Sequence, residues 1–233
     1  MVRKFVIHMA SAALLVCFGL APAFASDVSG KIVVQKDIGK VAAVAVTYDL
    51  RGAAVRDLPP GKVGNSFERV AIWLESENPE SGDRSAAPIT ATMQQRNRQL
   101  EPELLVIPIG STVNFPNLDP IFHNIFSLSK AKSFDLGYYP KGQSRSVVFS
   151  RSGIVQVYCH VHPNMSAAIV VSSSRWFGTP AADGTFLWSG VPAGPYRLMI
   201  WQRFAGLFRR DLQVPESGQV SIRATIPEDR ESH

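Results

Sequence analysis

Cysteine is almost missing from this chain: its 233 residues include two, Cys17 and Cys159. That scarcity excludes the disulfide frameworks that hold many small exported domains together. Charge is sparse as well, with 18% of residues charged and a formal net charge of +5. The excess is too weak and too scattered to argue for a nucleic-acid surface. Beyond Ala25 no apolar run is long enough to cross a bilayer, and no segment carries a sustained helical stripe.

What is present begins with an export signal. Arg3 and Lys4 open the chain, an apolar run extends from Phe5 to Leu20, and Ala23-Phe24-Ala25 supplies the small-x-small pattern of a cleavage site. This reads as a signal peptide over residues 1–25 rather than an anchor, because the apolar core is short and a cleavage site follows. Acylation at Cys17 would call for Gly or Ala before it, and Val16 stands there. The mature chain is expected to start at Ser26 and to be periplasmic, with no membrane span. Loss of Arg3 and Lys4 lowers the net charge from +5 to +3. Cys159 is then the sole thiol and cannot close an internal disulfide. It is left as a small buried hydrophobe, as half of an intermolecular bridge, or as a ligand.

The remaining hydrophobic pattern is strand-like. "GKIVVQ", "VAAVAVTY", "RVAIWLE", "ELLVIPI", "STVNF", "RSVVF", "GIVQVY" and "YRLMIW" are short, rich in β-branched and aromatic residues, and bounded by Gly, Pro, Asn or Ser. The class is all-β. Two polar stretches, "SENPESGDRSAA" (76–87) and "SSSR" (172–175), read as linkers and set off residues 88–172 as a unit. Segments 27–75 and 176–228 are left outside it and are expected to form one discontinuous sandwich. Trp176, Phe186, Trp188 and Trp201 fit the core of that sandwich better than a sugar-binding platform.

The chemistry is concentrated in "VYCHVHPNM" (157–165). Cys159, His162 and Met165 follow a Cys-x2-His-x2-Met spacing, which lets one tight turn aim three side chains at a single point. A fourth donor must come from elsewhere, and "PIFHNIF" supplies His123 between two strands. A thiolate, two imidazoles and a thioether suit copper in both oxidation states, and a His2Cys set with a weak axial Met is the ligand set of blue-copper electron-transfer sites. Structural zinc favours several thiolates or Cys2His2, and calcium or magnesium would want carboxylates.

Residues 88–172 resemble the small blue copper proteins, the cupredoxins, and most nearly their amicyanin and pseudoazurin branch. "LEPELLVIPIGSTVNFPNLDPIFHNIF" is similar to the family's front half, and "GIVQVYCHVHPNM" to its back half. The resemblance implies a Greek-key β-sandwich in which His123, Cys159, His162 and Met165 bind one type 1 copper. It further implies that Asn124 pins the ligand loop near the thiolate and that His162 is the electron's exit. His160 departs from that branch. A histidine beside the cysteine leads to a catalytic copper in some relatives, but such a copper needs further histidines, and His233 alone is left. His160 is therefore read as a surface residue, and the protein as a carrier and not an enzyme. "ADGTFLWSGVPAGPYRLMIW" (182–201) resembles the carboxypeptidase regulatory-like (transthyretin-like) sandwich, which implies a second small β-domain with a spacing or partner-binding role.

The function expected is single-electron transfer between periplasmic redox proteins, by a monomer that docks transiently. Pro163, Ile121, Phe122 and Pro140 are candidates for an apolar collar, and Lys130, Lys132, Lys141, Arg145 and Arg151 make the unit locally basic. Two other readings stay open at this point: copper storage or delivery, and a copper-free structural or binding module.

Overall fold

The computed structural model describes residues 25–35, 66–78 and 85–227. Residues 1–24 of the expected signal peptide, the segment "VAAVAVTY", residues 79–84 of the first polar stretch and His233 lie outside the described residues. The chain is all-β. In order, the strands are β1 (Ala25–Val34), β2 (Val70–Ser76), β3 (Thr90–Thr92), β4 (Gln94–Arg96), β5 (Gln99–Glu101), β6 (Leu104–Pro108), β7 (Thr112–Pro116), β8 (His123–Ser129) and β9 (Lys132–Tyr139). They continue as β10 (Ser144–Val148), β11 (Gly153–Cys159), β12 (Ser166–Ser172), β13 (Phe177–Gly178), β14 (Thr185–Pro192), β15 (Gly194–Gln202), β16 (Gly206–Val214) and β17 (Gly218–Ile226).

Four sheets stack in layers. The outermost has order β14-β1-β17, the next β13-β2-β15-β16, the third β6-β12-β11-β8-β9, and the last β10-β7-β3; β4 and β5 form a separate hairpin. Three apolar clusters fill the three gaps. Val28, Ile32 and Ala224 face Val70, Ile72 and Leu198 across the first. Ala71, Trp73, Met199 and Trp201 meet Leu104, Ala168 and Val170 across the second. Val155, Val157, Ile125 and Ile169 face Val113, Phe115 and Val147 across the third.

This layering accounts for the sequence pattern. The central strands β2, β12 and β15 are buried on both faces, so their residues read as nearly continuous apolar runs. Strands β16 and β17 bury one face and alternate. In the middle gap, Trp73 and Trp201 are both buried. Each removes about 150–250 Å² from water, a gross gain of roughly 4–6 kcal/mol apiece before conformational entropy is subtracted.

Among the described residues, β3 to β12 pair with one another, and β1, β2 and β13 to β17 pair with one another. The chain leaves the second layer after Ser76 and returns beside it. Leu74 N–H donates to the Trp176 carbonyl at 3.0 Å, and Phe177 pairs with Trp73. The "SSSR" stretch is no loose linker. Ser172 ends β12, and the buried Ser174 donates its N–H to Ser172 Oγ at 3.1 Å, while its own Oγ accepts from Trp176 N–H at 3.2 Å. Such short hydroxyl–backbone turns satisfy buried backbone groups where the chain changes sheets. Trp176 is buried in the first-gap cluster and Phe186 and Trp188 lie half-buried against it, whereas Trp201 is buried in the second gap, against Leu104, Ala168 and Val170.

Candidate metal centre

Two adjacent strands supply the first two donors. Strand β11 ends at Cys159, which pairs with Ile125 of β8. His123 opens β8 two residues earlier, so the strand's period of two puts it on the same face as Ile125 and Cys159. The third donor comes from the loop that follows. Met165 N–H donates to the His162 carbonyl at 2.9 Å, and Cys159 N–H donates to the Met165 carbonyl at 3.1 Å. These bonds make residues 162–165 a tight turn with Pro163 in its second place, where proline's fixed φ suits it.

The donors converge. Cys159 Sγ lies 3.6 Å from His123 Nδ1 and 3.8 Å from His162 Nδ1, and the two Nδ1 atoms are 3.2 Å apart. The centre of a triangle with those edges is about 2.1 Å from each corner, matching the metal–imidazole bond of about 2.0–2.1 Å. No other group of three metal-ligating side chains occurs among the described residues. His123 is fully buried and Cys159 is 5% exposed, while His162 is half-buried at the rim. Met165 is 1% exposed and packs in the cluster that contains Cys159. Two imidazole nitrogens and one sulfur stand at bonding spacing, a set that fits a copper ion.

Asp119 fixes one imidazole. Its Oδ2 lies 2.9 Å from His123 Nε2, an arrangement in which that nitrogen donates to the carboxylate and Nδ1 is the ring atom turned to the cluster. The same carboxylate accepts from Asn97 N–H at 2.6 Å and from Arg98 N–H at 2.8 Å. Asn97 and Arg98 form the β4–β5 turn with φ of 54° and 57°, a left-handed pair that non-glycine residues rarely adopt. Burial works to raise the Asp119 pKa, but the bonds from Arg98, His123 and Asn97 outweigh it and hold the carboxyl below the usual aspartate value. The loop carrying Asp119 is itself held by the buried Asn117. Its Nδ2 donates to the Ile121 carbonyl at 2.8 Å and the Tyr139 carbonyl at 3.0 Å, and its Oδ1 accepts from Asp119 N–H at 2.9 Å. Burial also raises the Tyr139 phenol to about 12, so it stays a proton donor, to the Phe115 carbonyl at 2.9 Å.

His162 is held below the ordinary histidine pKa, first by burial and then by His123 and Arg98, with Asp119 opposing. A neutral imidazole is the form a metal needs.

The structure brings together His123, Cys159 and His162, and places Met165 in the same buried cluster. Asn124 behaves differently from the expectation. Its side chain donates to Asp135 Oδ1 at 2.8 Å, and what reaches the ligand loop is its backbone carbonyl, accepting from His160 N–H at 3.3 Å. A register shift between Asn124 and Phe126 in the β8–β9 pairing, with Gly137 at φ 63°, turns Asp135 toward that amide. His160 does point away from Cys159: its ring stacks on Phe126 at 3.9 Å and lies 3.8 Å from Asp135. In the collar, Phe122 is 59% exposed and Pro163 is exposed, while Ile121 and Pro140 are half-buried. Sequence reasoning missed Leu118 and Val161, both exposed nearby. It also missed Asp119, whose signal was a carboxylate four residues before a candidate ligand. Arg145 is committed locally, bonding to the Leu136 carbonyl and lying 5.1 Å over the Tyr139 ring.

No family model and no curated protein matches the chain. Solved structures of cupredoxins are similar to part of it. A purple cupredoxin from Nitrosopumilus maritimus is 29% identical over 35% of this chain and 99% of its own, with a TM-score of 0.33. A copper-containing nitrite reductase from Thermus scotoductus SA-01 is 24% identical over 39% of this chain and 24% of its own, with a TM-score of 0.35. A reduced mutant of amicyanin is 20% identical over 45% of this chain and 99% of its own, with a TM-score of 0.34. Among the described residues no helix is long and apolar enough to cross a membrane.

Proposed function

We propose that this is an exported single-electron carrier, not an enzyme, that holds one copper ion on His123, Cys159, His162 and Met165. The observation that carries the reading is the convergence of one sulfur and two imidazole nitrogens, 3.2–3.8 Å apart, at one largely buried point. Bound copper supplies one-electron exchange between its two oxidation states.

The chain's own part is to hold the donors still. The β8–β11 pairing fixes Cys159 and His123, Asp119 fixes the His123 tautomer, and the Pro163 turn fixes His162. Donors held by strand pairing and a tight turn need little rearrangement when the charge on the metal changes. His162 sits at the rim beside Phe122 and Val161, 59% and 46% exposed. That apolar rim suits the brief, small-area docking of a periplasmic redox partner. A storage or delivery protein would leave its donors open for exchange, whereas His123 is fully buried and Met165 is 1% exposed.

Titration of the purified protein with Cu(II) tests the reading. One equivalent should give an intense blue thiolate charge-transfer band and a reversible one-electron voltammetric wave. A colourless complex, or no tight binding, would overturn it.

A further inference from the structure

Ser166, the residue after Met165, is held from the neighbouring layer. Its Oγ accepts from Arg203 Nη2 at 2.5 Å, and Arg203 lies in the turn between β15 and β16. The same guanidinium donates from Nη1 to Glu103 Oε2 at 3.1 Å. Glu103 is gripped a second time by Arg69, with Nε to Oε2 at 2.6 Å and Nη2 to Oε1 at 3.1 Å. The Arg69 carbonyl accepts from Arg203 N–H at 3.4 Å, and the Phe204 ring lies 5.7 Å from the Arg69 guanidinium and 5.5 Å from that of Arg203. The Arg203 side chain is 15% exposed. A lone surface ion pair adds little to stability. A forked, largely covered arginine held by a carboxylate, a hydroxyl and a ring instead fixes geometry.

What it fixes is the base of the ligand loop. Ser166 pairs in register with Tyr158, so Arg203 stands where Tyr158–Cys159 enters the loop and Met165–Ser166 leaves it. Met165 closes the ligand turn and is joined to Ser166 by one peptide bond, so a hydroxyl anchored at Ser166 fixes the backbone from which the thioether projects. Arg69, Glu103 and Arg203 have no place in holding the metal itself.

We propose that Arg203 is a positioning residue for the metal centre. Through Ser166 it sets where the Met165 thioether sits, so the layers built from β1, β2 and β13 to β17 tune the potential of a site they do not touch. This rests on the copper reading above. The test uses the full chain with Ser166→Ala and Arg203→Lys, each made alone and in a Met165→Leu background. Lysine keeps the charge but loses the fork, and Ser166→Ala leaves the Arg203–Glu103 pair intact should the arginine variant fail to fold. Voltammetry of each single variant should show the ratio of Cu(II) to Cu(I) affinity changed by at least about threefold, or about 28 mV at 59 mV per tenfold. The shift should vanish in the Met165→Leu background, since effects transmitted through one residue are not additive with its removal. In the copper-free protein, the NMR resonance of the Met165 methyl should move in both single variants. An unchanged potential and methyl resonance in Ser166→Ala, with a blue wild type, would overturn the proposal. So would a shift that persists undiminished without Met165. A wild type that binds no copper would sink the carrier reading alone, and the methyl resonance would still decide whether Arg203 positions Met165.

Discussion

Replacing Asp119 by asparagine keeps the shape of the side chain and removes its charge and one acceptor oxygen. Asp119 is 8% exposed at the side chain and accepts from three donors: Asn97 N–H, Arg98 N–H and His123 Nε2–H. An asparagine must turn its NH2 toward at least one of them. If the oxygen faces Arg98 and His123, the Asn97 N–H loses its partner in a turn that already holds two left-handed residues. If the NH2 faces His123, the imidazole must accept at Nε2 and carry its proton on Nδ1, which removes the lone pair aimed at Cys159. The first outcome loses a hydrogen bond to a charged group, worth about 1.5–3 kcal/mol. For a protein of this size that is a fall in Tm of roughly 3–12 °C. The second attacks the metal directly, and partners of ligating histidines typically contribute about 10–100-fold in affinity.

The assay has two arms. Thermal unfolding of the copper-free Asp119→Asn protein reads the turn, and competition against a chelator of known copper affinity reads the tautomer. We expect a lower Tm together with copper affinity reduced by at least about tenfold. A protein whose Tm falls while its copper affinity stays within about twofold of wild type would show that the carboxylate's charge beside His123 adds nothing to the metal site and that Asp119 serves the β4–β5 turn alone.

Cys159→Ser should abolish the blue band while leaving the β-fold intact by circular dichroism, and a serine variant that stayed blue would end the assignment. Met165→Leu should retain copper and colour but shift the reduction potential, because a weak axial thioether tunes more than it holds. Because the folded state keeps the His162 pKa low, chiefly by burial, the unfolded chain takes up the proton first. Stability of the copper-free protein should therefore fall as pH drops below the unfolded histidine value of about 6.5. It should level off only below the depressed folded value; denaturant titrations with His162→Gln as control check this, and identical pH profiles would contradict it. The fragment 86–173 should fold and bind copper alone. Fragment 174–233 should not fold, since β15 would lose β2, and β14 and β17 would lose β1; cooperative unfolding of 174–233 would refute this.

Three of the four candidate donors lie within seven residues, a spacing short enough to read without the fold, and the structure brings His123, Cys159 and His162 together. Strand class was legible from periodicity for the same local reason. Asn124 was misjudged because its amide direction depends on a register shift in the partner strand, which leaves no trace in its own neighbourhood. Asp119 carried a signal, four residues before His123, but its second role under the Asn97–Arg98 turn joins segments 22 residues apart. Arg203 and Ser166 are 37 residues apart, and nothing near either one points to the other. The apolar runs of β2, β12 and β15 could be read as strands, whereas their burial between two sheets follows only from the layering.

That layering also explains how a metal site can answer to residues beyond its own sheets. Strand β12 is buried on both faces, with Ala167, Ile169 and Val171 turned toward the site's core and Ala168 and Val170 toward Trp73 and Trp201. A strand gripped on both faces cannot shift on one side without strain on the other, since interiors are packed as densely as crystals. Met165 stands at the end of that strand, where the last grip before the ligand loop is the bond from Arg203 to Ser166. The chain segment that carries the donors departs after β2 and returns at β13 in the same sheet, so the layer that receives its two ends also braces its central strand. Deleting that layer would leave His123 and Cys159 on strands internal to β3 to β12, while Ser166 would lose its bond from Arg203 at the end of the 162–165 turn. The side chain whose geometry should loosen first is therefore Met165, next to Ser166.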